Sequence, residues 1–197
     1  MEHSLSAICS TIAFNGEKEQ TYENVYFDTS DFLSYMNHHR GKYPRKKYRV
    51  RTYCNAAGES SYWEEKIKLS GGRSKKIRVP MEGSDFEISQ ELKPAMEVRY
   101  VRKQYWHEES GSRVTVDYEL NFNLPDQRDS SIFFNNLVII EVKKERAAVI
   151  APERIFKQFN LRAESMSKYC LGVVLLREEV KKNNFRPLIK MIEKWNS

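Results

Sequence analysis

Apolar and polar side chains alternate with a period of two through most of the first 144 residues, as expected for strands covered on one face. Tyr22 to Phe27 alternates weakly and is predicted as a strand. Clearer runs follow at 45–54, 59–69, 73–79, 97–107, 112–122 and 137–144. Turn formers separate them: Asn55-Ala56-Ala57-Gly58, Ser70-Gly71-Gly72, and Glu108-Glu109-Ser110-Gly111, which closes a hairpin. Pro80 ends one run, and Pro125 to Ser131 is predicted as a polar loop. Gly83 to Lys93 has no clear period and is expected to contain a short helix. Residues 4–14 carry Leu5, Ile8 and Ile12 and are also expected to be helical. Asp28-Thr29-Ser30-Asp31 supplies capping residues for a helix through His39, closed by Gly41.

Beyond residue 150 the period changes to about 3.6. Helices are predicted from Pro152 to Phe159 and from Ser165 or Ser167 to Leu176. A terminal helix beginning at Pro187 places Leu188, Ile189, Ile192 and Trp195 on one side. Consecutive strands joined by short turns point to an α+β protein. Its antiparallel sheet is expected to curl or close into a β-barrel, with helices at the periphery.

A length of 197 residues suits a single domain, 1–197, with a substantial core. Lys and Arg number 33 against 27 Asp and Glu, so the net charge of +6 favours an anionic partner without naming one. Cys9, Cys54 and Cys170 are odd in number and widely spaced, which argues against a disulfide framework or a cysteine-rich zinc site. No signal peptide or membrane segment is apparent, and the expected location is cytoplasmic.

The charged faces of the strands are more informative. Arg49 and Arg51 share one face, as do Glu64, Lys66 and Lys68. Lys76 and Arg78 flank Ile77, and Tyr100 and Arg102 flank Val101. Arg113, Thr115 and Asp117 oppose Val114 and Val116, and Glu141 and Lys143 flank Val142. Each run alone is the ordinary solvated face of a half-buried strand. Together they hold nine cations against three carboxylates. Gathered on one face, such charges repel one another unless an anion lies among them.

These residues also resemble a known family. Val25-Tyr26-Phe27-Asp28-Thr29-Ser30-Asp31 is similar to a Tyr-Phe-Asp-Thr-Pro-Asp-like signature. Tyr48-Arg49-Val50-Arg51-Thr52-Tyr53, Glu64-Glu65-Lys66-Ile67-Lys68 and Lys75-Lys76-Ile77-Arg78 follow in order. Then come Tyr100-Val101-Arg102, Arg113-Val114-Thr115-Val116-Asp117, Ile140-Glu141-Val142-Lys143 and Ser167-Lys168-Tyr169. The order resembles the VTC domain, the polyphosphate polymerase domain of the vacuolar transporter chaperone group, among the triphosphate tunnel metalloenzymes. The resemblance runs from about residue 22 to 177.

It implies an antiparallel barrel tunnel whose lumen holds polyphosphate, tripolyphosphate or a nucleoside triphosphate. Lys66, Arg102, Arg113 and Lys168 would act on the transferring phosphate. Arg49, Arg51, Lys68, Lys76, Arg78, Tyr100, Lys143 and Ser167 would hold the chain. Glu141, with Glu64 and Asp117 as further candidates, would bind Mn²⁺ or Mg²⁺. Two positions depart from the family pattern. Nothing before Tyr22 matches the opening Arg-x-Glu-x-Lys-Tyr-like strand, and Ser165 stands where some members carry a lysine.

Other motifs carry less. His38 and His39 are adjacent on a predicted helix, cannot both face one metal, and are expected at the surface. His3 and His107 have no ligand-spaced partner, and the cysteines are expected as buried thiols. No glycine-rich phosphate loop occurs. Arg45-Lys46-Lys47 is read as a solvated strand start, with a basic funnel as the alternative. A triphosphatase and a phosphate-binding module without turnover compete with the polymerase reading. A nucleic-acid binder would use Tyr48, Tyr53, Tyr62 and Trp63 for stacking, but the carboxylates on the basic faces count against it.

Overall fold

The computed structural model describes residues 1–55, 58–144, 151–161 and 163–196. Part of the predicted turn, Ala56-Ala57, lies outside them, as does the side chain of Trp195. The chain runs α1 (Glu2–Ser6), β1 (Ser10–Thr11), β2 (Glu19–Asp28), α2 (Leu33–His39), β3 (Arg45–Asn55), β4 (Gly58–Lys68) and β5 (Ser74–Pro80). It continues through β6 (Lys93–His107), β7 (Ser112–Leu124), β8 (Gln127–Phe134), β9 (Ile139–Lys143), α3 (Ala151–Gln158), α4 (Lys168–Leu176) and α5 (Arg186–Asn196).

The described strands form one sheet in the order β5-β4-β3-β2-β6-β7-β8, with β1 beside β6 and β9 beside β7. All recorded pairings are antiparallel. The sheet is not closed: among the described residues β5 pairs only with β4, and no hydrogen-bonded ladder joins it to β8 or β9. The protein is an α+β structure built on a curled, open sheet. Among the described residues no helix is long and apolar enough to cross a membrane.

Three expectations are corrected. The predicted loop at 125–131 is largely strand β8, because Phe134 and Ile132 turn inward while its polar residues face out. The first helix ends at Ser6, since Ser10 and Thr11 pair with Trp106 and Tyr105 of β6. Gly83 to Lys93 holds no helix; it lays Phe86 against Trp63, with ring centroids 5.3 Å apart, and leads into β6.

Both faces of the sheet are covered. On the outer face Tyr105, Val114 and Val116 pack under Leu5 and Cys9 near α1 and under Ile155 of α3. On the inner face α4 lies across Met96, Val98, Leu120 and Phe122. A regular strand could not produce that inner surface. Arg113, Thr115 and Asp117 point inward at odd positions, yet Leu120, Phe122 and Leu124 do so at even ones. The change of parity occurs at a β-bulge where Glu119 takes φ 52° and β7 gains one residue relative to β6. The inner face is therefore polar on one side of the bulge and apolar on the other.

Asp28 ties this arrangement together. Its buried carboxylate accepts hydrogen bonds from the backbone N–H groups of Ser34 (2.9 Å) and Tyr35 (3.0 Å) at the start of α2. It also accepts from the Thr29 N–H at 2.8 Å and the Tyr169 hydroxyl of α4 at 2.5 Å. One side chain at the end of β2 thus caps α2 and anchors α4. Asp28→Ala is expected to lower stability by roughly 2–5 kcal/mol, since it orphans several buried donors at once. Equilibrium urea unfolding checks this.

Gly172 is the point of closest approach between α4 and the sheet. A Cβ there would sit 2.7 Å from Met96 Sδ and 2.8 Å from Phe122 Cδ1. Gly172→Val is expected to cost about 1–3 kcal/mol by overpacking, read as a lower urea midpoint with an unchanged slope.

Candidate functional site

Strand register arranges the inner face in rows. Arg49 lies opposite Glu64, and Glu64 opposite Arg78. Lys47, Lys66 and Lys76 form the next row, followed by Arg45 and Lys68. Across the face, Arg102 lies opposite Asp117, Thr115 opposite Glu141, and Arg113 opposite Lys143. On a flat sheet β4 and β9 would be about 24 Å apart, five strand spacings. Here the adjacent residues Ser167 and Lys168 at the start of α4 touch Lys47 of β3 and Asp117 of β7, so the sheet curls its walls toward each other, and Lys66 acts electrostatically on Lys143. Loss of hydration, then Arg113, Lys66 and Arg102, hold the Lys143 ammonium below its usual range against the pull of Glu141. Solvent nevertheless still reaches more than half of that side chain.

Glu64 is the centre of one wall. Its carboxylate is 2% exposed and takes Arg49 Nε at 2.7 Å, Arg49 Nη2 at 2.5 Å and Lys76 Nζ at 2.5 Å. Arg78 Nε is 3.7 Å away and Arg51 Nε 4.0 Å. Burial alone would raise the carboxyl pKa, but Arg49, Lys76 and Arg51 outweigh it and hold the value at about 2. Arg51 is positioned by Asn24 Oδ1 at 2.8 Å and by the Tyr100 hydroxyl at 3.1 Å.

Asp117 is the centre of the other wall. Arg102 grips it with two parallel bonds, Nε to Oδ1 at 2.5 Å and Nη2 to Oδ2 at 2.7 Å. Lys168, the first residue of α4, donates to Oδ2 at 2.5 Å. Burial pushes the Asp117 carboxyl up, and the two cations more than offset it. Below them Tyr22 and Tyr100 stack at 5.3 Å, with Arg102 5.0 Å from the Tyr22 ring and Lys168 4.6 Å from the Tyr100 ring. Tyr26 accepts from Arg49 Nη1 at 3.1 Å. Burial would raise its phenol pKa, but Arg49, Arg51 and Lys168 turn the shift downward.

The residues singled out in the sequence differ in their partners. Arg49, Arg51, Lys76 and Arg78 converge on Glu64, while Arg102 and Lys168 converge on Asp117. Tyr100 and Ser167 are hydrogen-bonded among them. Lys66, Lys68 and Arg113 occupy the same face with no carboxylate at ion-pair distance among the described residues. Glu141 faces solvent beside Lys143, Oε1 to Nζ 3.9 Å. Among the described residues no three His, Cys, Asp or Glu side chains gather in a way that could hold a metal ion. Glu64 and Asp117 are already taken up by cations, which leaves Glu141 as the open carboxylate of the three.

Several expectations change here. Arg45 and Lys47 are not a solvated strand start: Arg45 is buried, and Lys47 Nζ donates to Ser167 Oγ at 2.6 Å. Lys46, between them, points to the other face and pairs with Glu65 at 3.0 Å. The alternation through residues 45–51 was the signal, since it continues the Arg49 and Arg51 face toward the start of the strand. His38 and His39 are not at the surface. His38 Nδ1 lies 3.0 Å from the buried Cys170 Sγ, and His39 is buried against Phe185. The aromatic set offered for stacking is divided: Tyr48 and Trp63 pack together on the outer face, and Tyr53 and Tyr62 on the inner one.

The model of the VTC domain family matches residues 2–86 and 81–177. Among solved structures, the PH1819 protein from Pyrococcus horikoshii OT3 is similar over 87% of this chain and 88% of that one. Its TM-score of 0.56 at 14% identity makes the likeness one of fold. No curated protein matches. The two matched segments cover the curled sheet, its inner basic face and helix α4, and the chain belongs to the VTC domain family.

Proposed function

We propose that this protein is a polyphosphate polymerase-like domain that lays a phosphate chain along the basic inner face. The supporting observation is an uncompensated charge. Glu64 and Asp117 are saturated by their own cations, yet Arg45, Lys47, Lys66, Lys68 and Arg113 have no carboxylate at ion-pair distance among the described residues. A polyanion with a charge on every phosphate relieves that repulsion.

In the transfer, a terminal oxygen of the chain attacks the γ-phosphorus of a nucleoside triphosphate. The bond from that phosphorus to its β,γ-bridging oxygen breaks, and nucleoside diphosphate leaves. Such chemistry asks the protein for alignment and charge neutralisation more than for a nucleophile. Lys66, Arg102, Arg113 and Lys168 would supply both, with Arg102 and Lys168 held in place by Asp117. Glu141, half exposed and only loosely paired with Lys143 at 3.9 Å, would offer Mn²⁺ or Mg²⁺ a carboxylate oxygen. When bound, the ion adds positive charge at the phosphate oxygens.

One observation favours a second reading, a binding module without turnover. A single open carboxylate is a sparse metal site among the described residues.

Incubation with ATP and Mn²⁺, followed by separation of polyphosphate from free phosphate, decides between these readings. Polyphosphate is the expected product. Free phosphate alone would mark a triphosphatase, and no turnover a binding module. Glu141→Gln is expected to keep tripolyphosphate binding and to lose metal-dependent turnover. Wild-type turnover in this variant would remove Glu141 from the reaction.

Tripolyphosphate is expected to raise the melting temperature, with an effect that shrinks as salt is added. Arg113→Ala removes a cation without stranding a buried partner and is expected to weaken binding roughly tenfold. Isothermal titration calorimetry measures the loss.

A further inference from the structure

We propose that Arg45, Lys47 and Lys68, with the Ser167 hydroxyl, form a further phosphate subsite at the end of the inner face where α2 and α4 meet. The proposal rests on the reading of that face as a phosphate-chain site. It adds residues beyond the two walls centred on Glu64 and Asp117.

Arg45 lies directly opposite Lys68, and Lys47 opposite Lys66, so this end of the sheet pairs like charges across neighbouring strands. Facing like charges destabilise a sheet unless something compensates them. The resident carboxylates do not. Glu64 serves Arg49, Arg51, Lys76 and Arg78, and Asp117 serves Arg102 and Lys168. Asp28 lies near this end but is occupied by the amides of α2 and the Tyr169 hydroxyl.

Arg45 is the clearest sign. It is only 8% exposed, and its guanidinium meets the Tyr43 ring at 4.9 Å, with no carboxylate at ion-pair distance among the described residues. A cation withdrawn from water to that degree without an anion is costly. Lys47 reaches the same region and donates to Ser167 Oγ. That oxygen also accepts from Cys170 N at 3.4 Å, capping α4. Its two acceptor positions are thus taken, and its own O–H lies within hydrogen-bonding reach of the Cys170 thiol.

Strand register sets the three cations side by side, with Arg45 and Lys47 two residues apart on β3 and Lys68 opposite Arg45, and His38 of α2 lies beside them. Burial, then Lys47, Arg45 and Lys68, hold its imidazole at about 3, so it is neutral at pH 7 and adds no charge. Three cations on two neighbouring strands, one of them bonded to Ser167 at the start of α4, suit a tetrahedral phosphoryl group with several charged oxygens. A chain lying along Lys66 would reach this end and gain contacts a shorter anion lacks.

The test pairs a local reporter with an affinity. The imidazole signals of the full chain are followed by NMR during titration with tripolyphosphate and with long-chain polyphosphate, His38 being assigned through His38→Gln. Calorimetry is run in parallel on wild type, Arg45→Met and Lys47→Met. Lys68→Met, at a half-buried position, serves if either of those fails to fold. The expected result is a His38 shift that saturates with the calorimetric isotherm for the long chain. A loss of about tenfold in long-chain affinity is expected in each variant. Tight binding by wild type with His38 unmoved and the variants unaffected would overturn the subsite and leave the proposed function standing. No binding by wild type would overturn both.

Discussion

Positive charge brought together on the inside of a curled sheet must be balanced inside it, and that constraint organises this protein. Glu64 and Asp117 are almost completely buried, which would be prohibitive for lone carboxylates. Each is instead surrounded by cations from neighbouring strands or from α4, at 2.5–2.7 Å for the closest contacts. The pairs hold the arginine forks in fixed orientations, and in exchange the cations keep the carboxylates ionised. What remains unbalanced lies on Arg113 and on the Lys66, Lys47 and Arg45 rows. The resident acids therefore partition the face into a pre-oriented part and a part that still attracts an anion.

Holding that face in shape depends on α4. The helix is apolar nearly all round, as befits a segment enclosed by sheet and helices, and it places Ser167 and Lys168 at its start between opposite walls. Ser167 meets Lys47 of β3, and Lys168 meets Asp117 of β7. Asp28 fixes the helix through Tyr169 and fixes α2 through two amides. The aspartate of the Tyr-Phe-Asp-Thr signature therefore acts as a structural tie rather than as a ligand. A phosphate chain would feel it only through the placement of α4.

Much of the site was legible along the chain because the strand period is strict. Arg49, Arg51, Glu64, Lys66, Lys76 and Arg78 share a face in the structure as their spacing requires. Lys47 and Arg45 belonged to the same alternation but sat in a basic run that reads equally well as a solvated start. Only tertiary packing distinguishes the two: it buries Arg45, and the start of α4 gives Lys47 a partner in Ser167. The two histidines were misplaced for a similar reason. A short helix does not reveal which of its sides another segment will cover.

The sequence by itself determined most strand positions, which charged residues share a strand face, the capped helix after Asp28 and the family to which the chain belongs. These follow from local periodicity and from residues close in the chain. Tertiary structure alone decided which charges neutralise which, since Glu64 and Arg78 meet only through strand register, and Asp117 and Lys168 only through the docking of α4 on the sheet. It also decided that polar-looking residues 127–134 become a strand, since pairing with β7 supplies the hydrogen bonds. The bulge at Glu119 changed which β7 side chains face inward, a shift of one residue that no period-two pattern announces. The expected closed barrel is a curled, open sheet among the described residues: closure is set by how far strands at opposite edges curl toward each other, and no single strand encodes that distance.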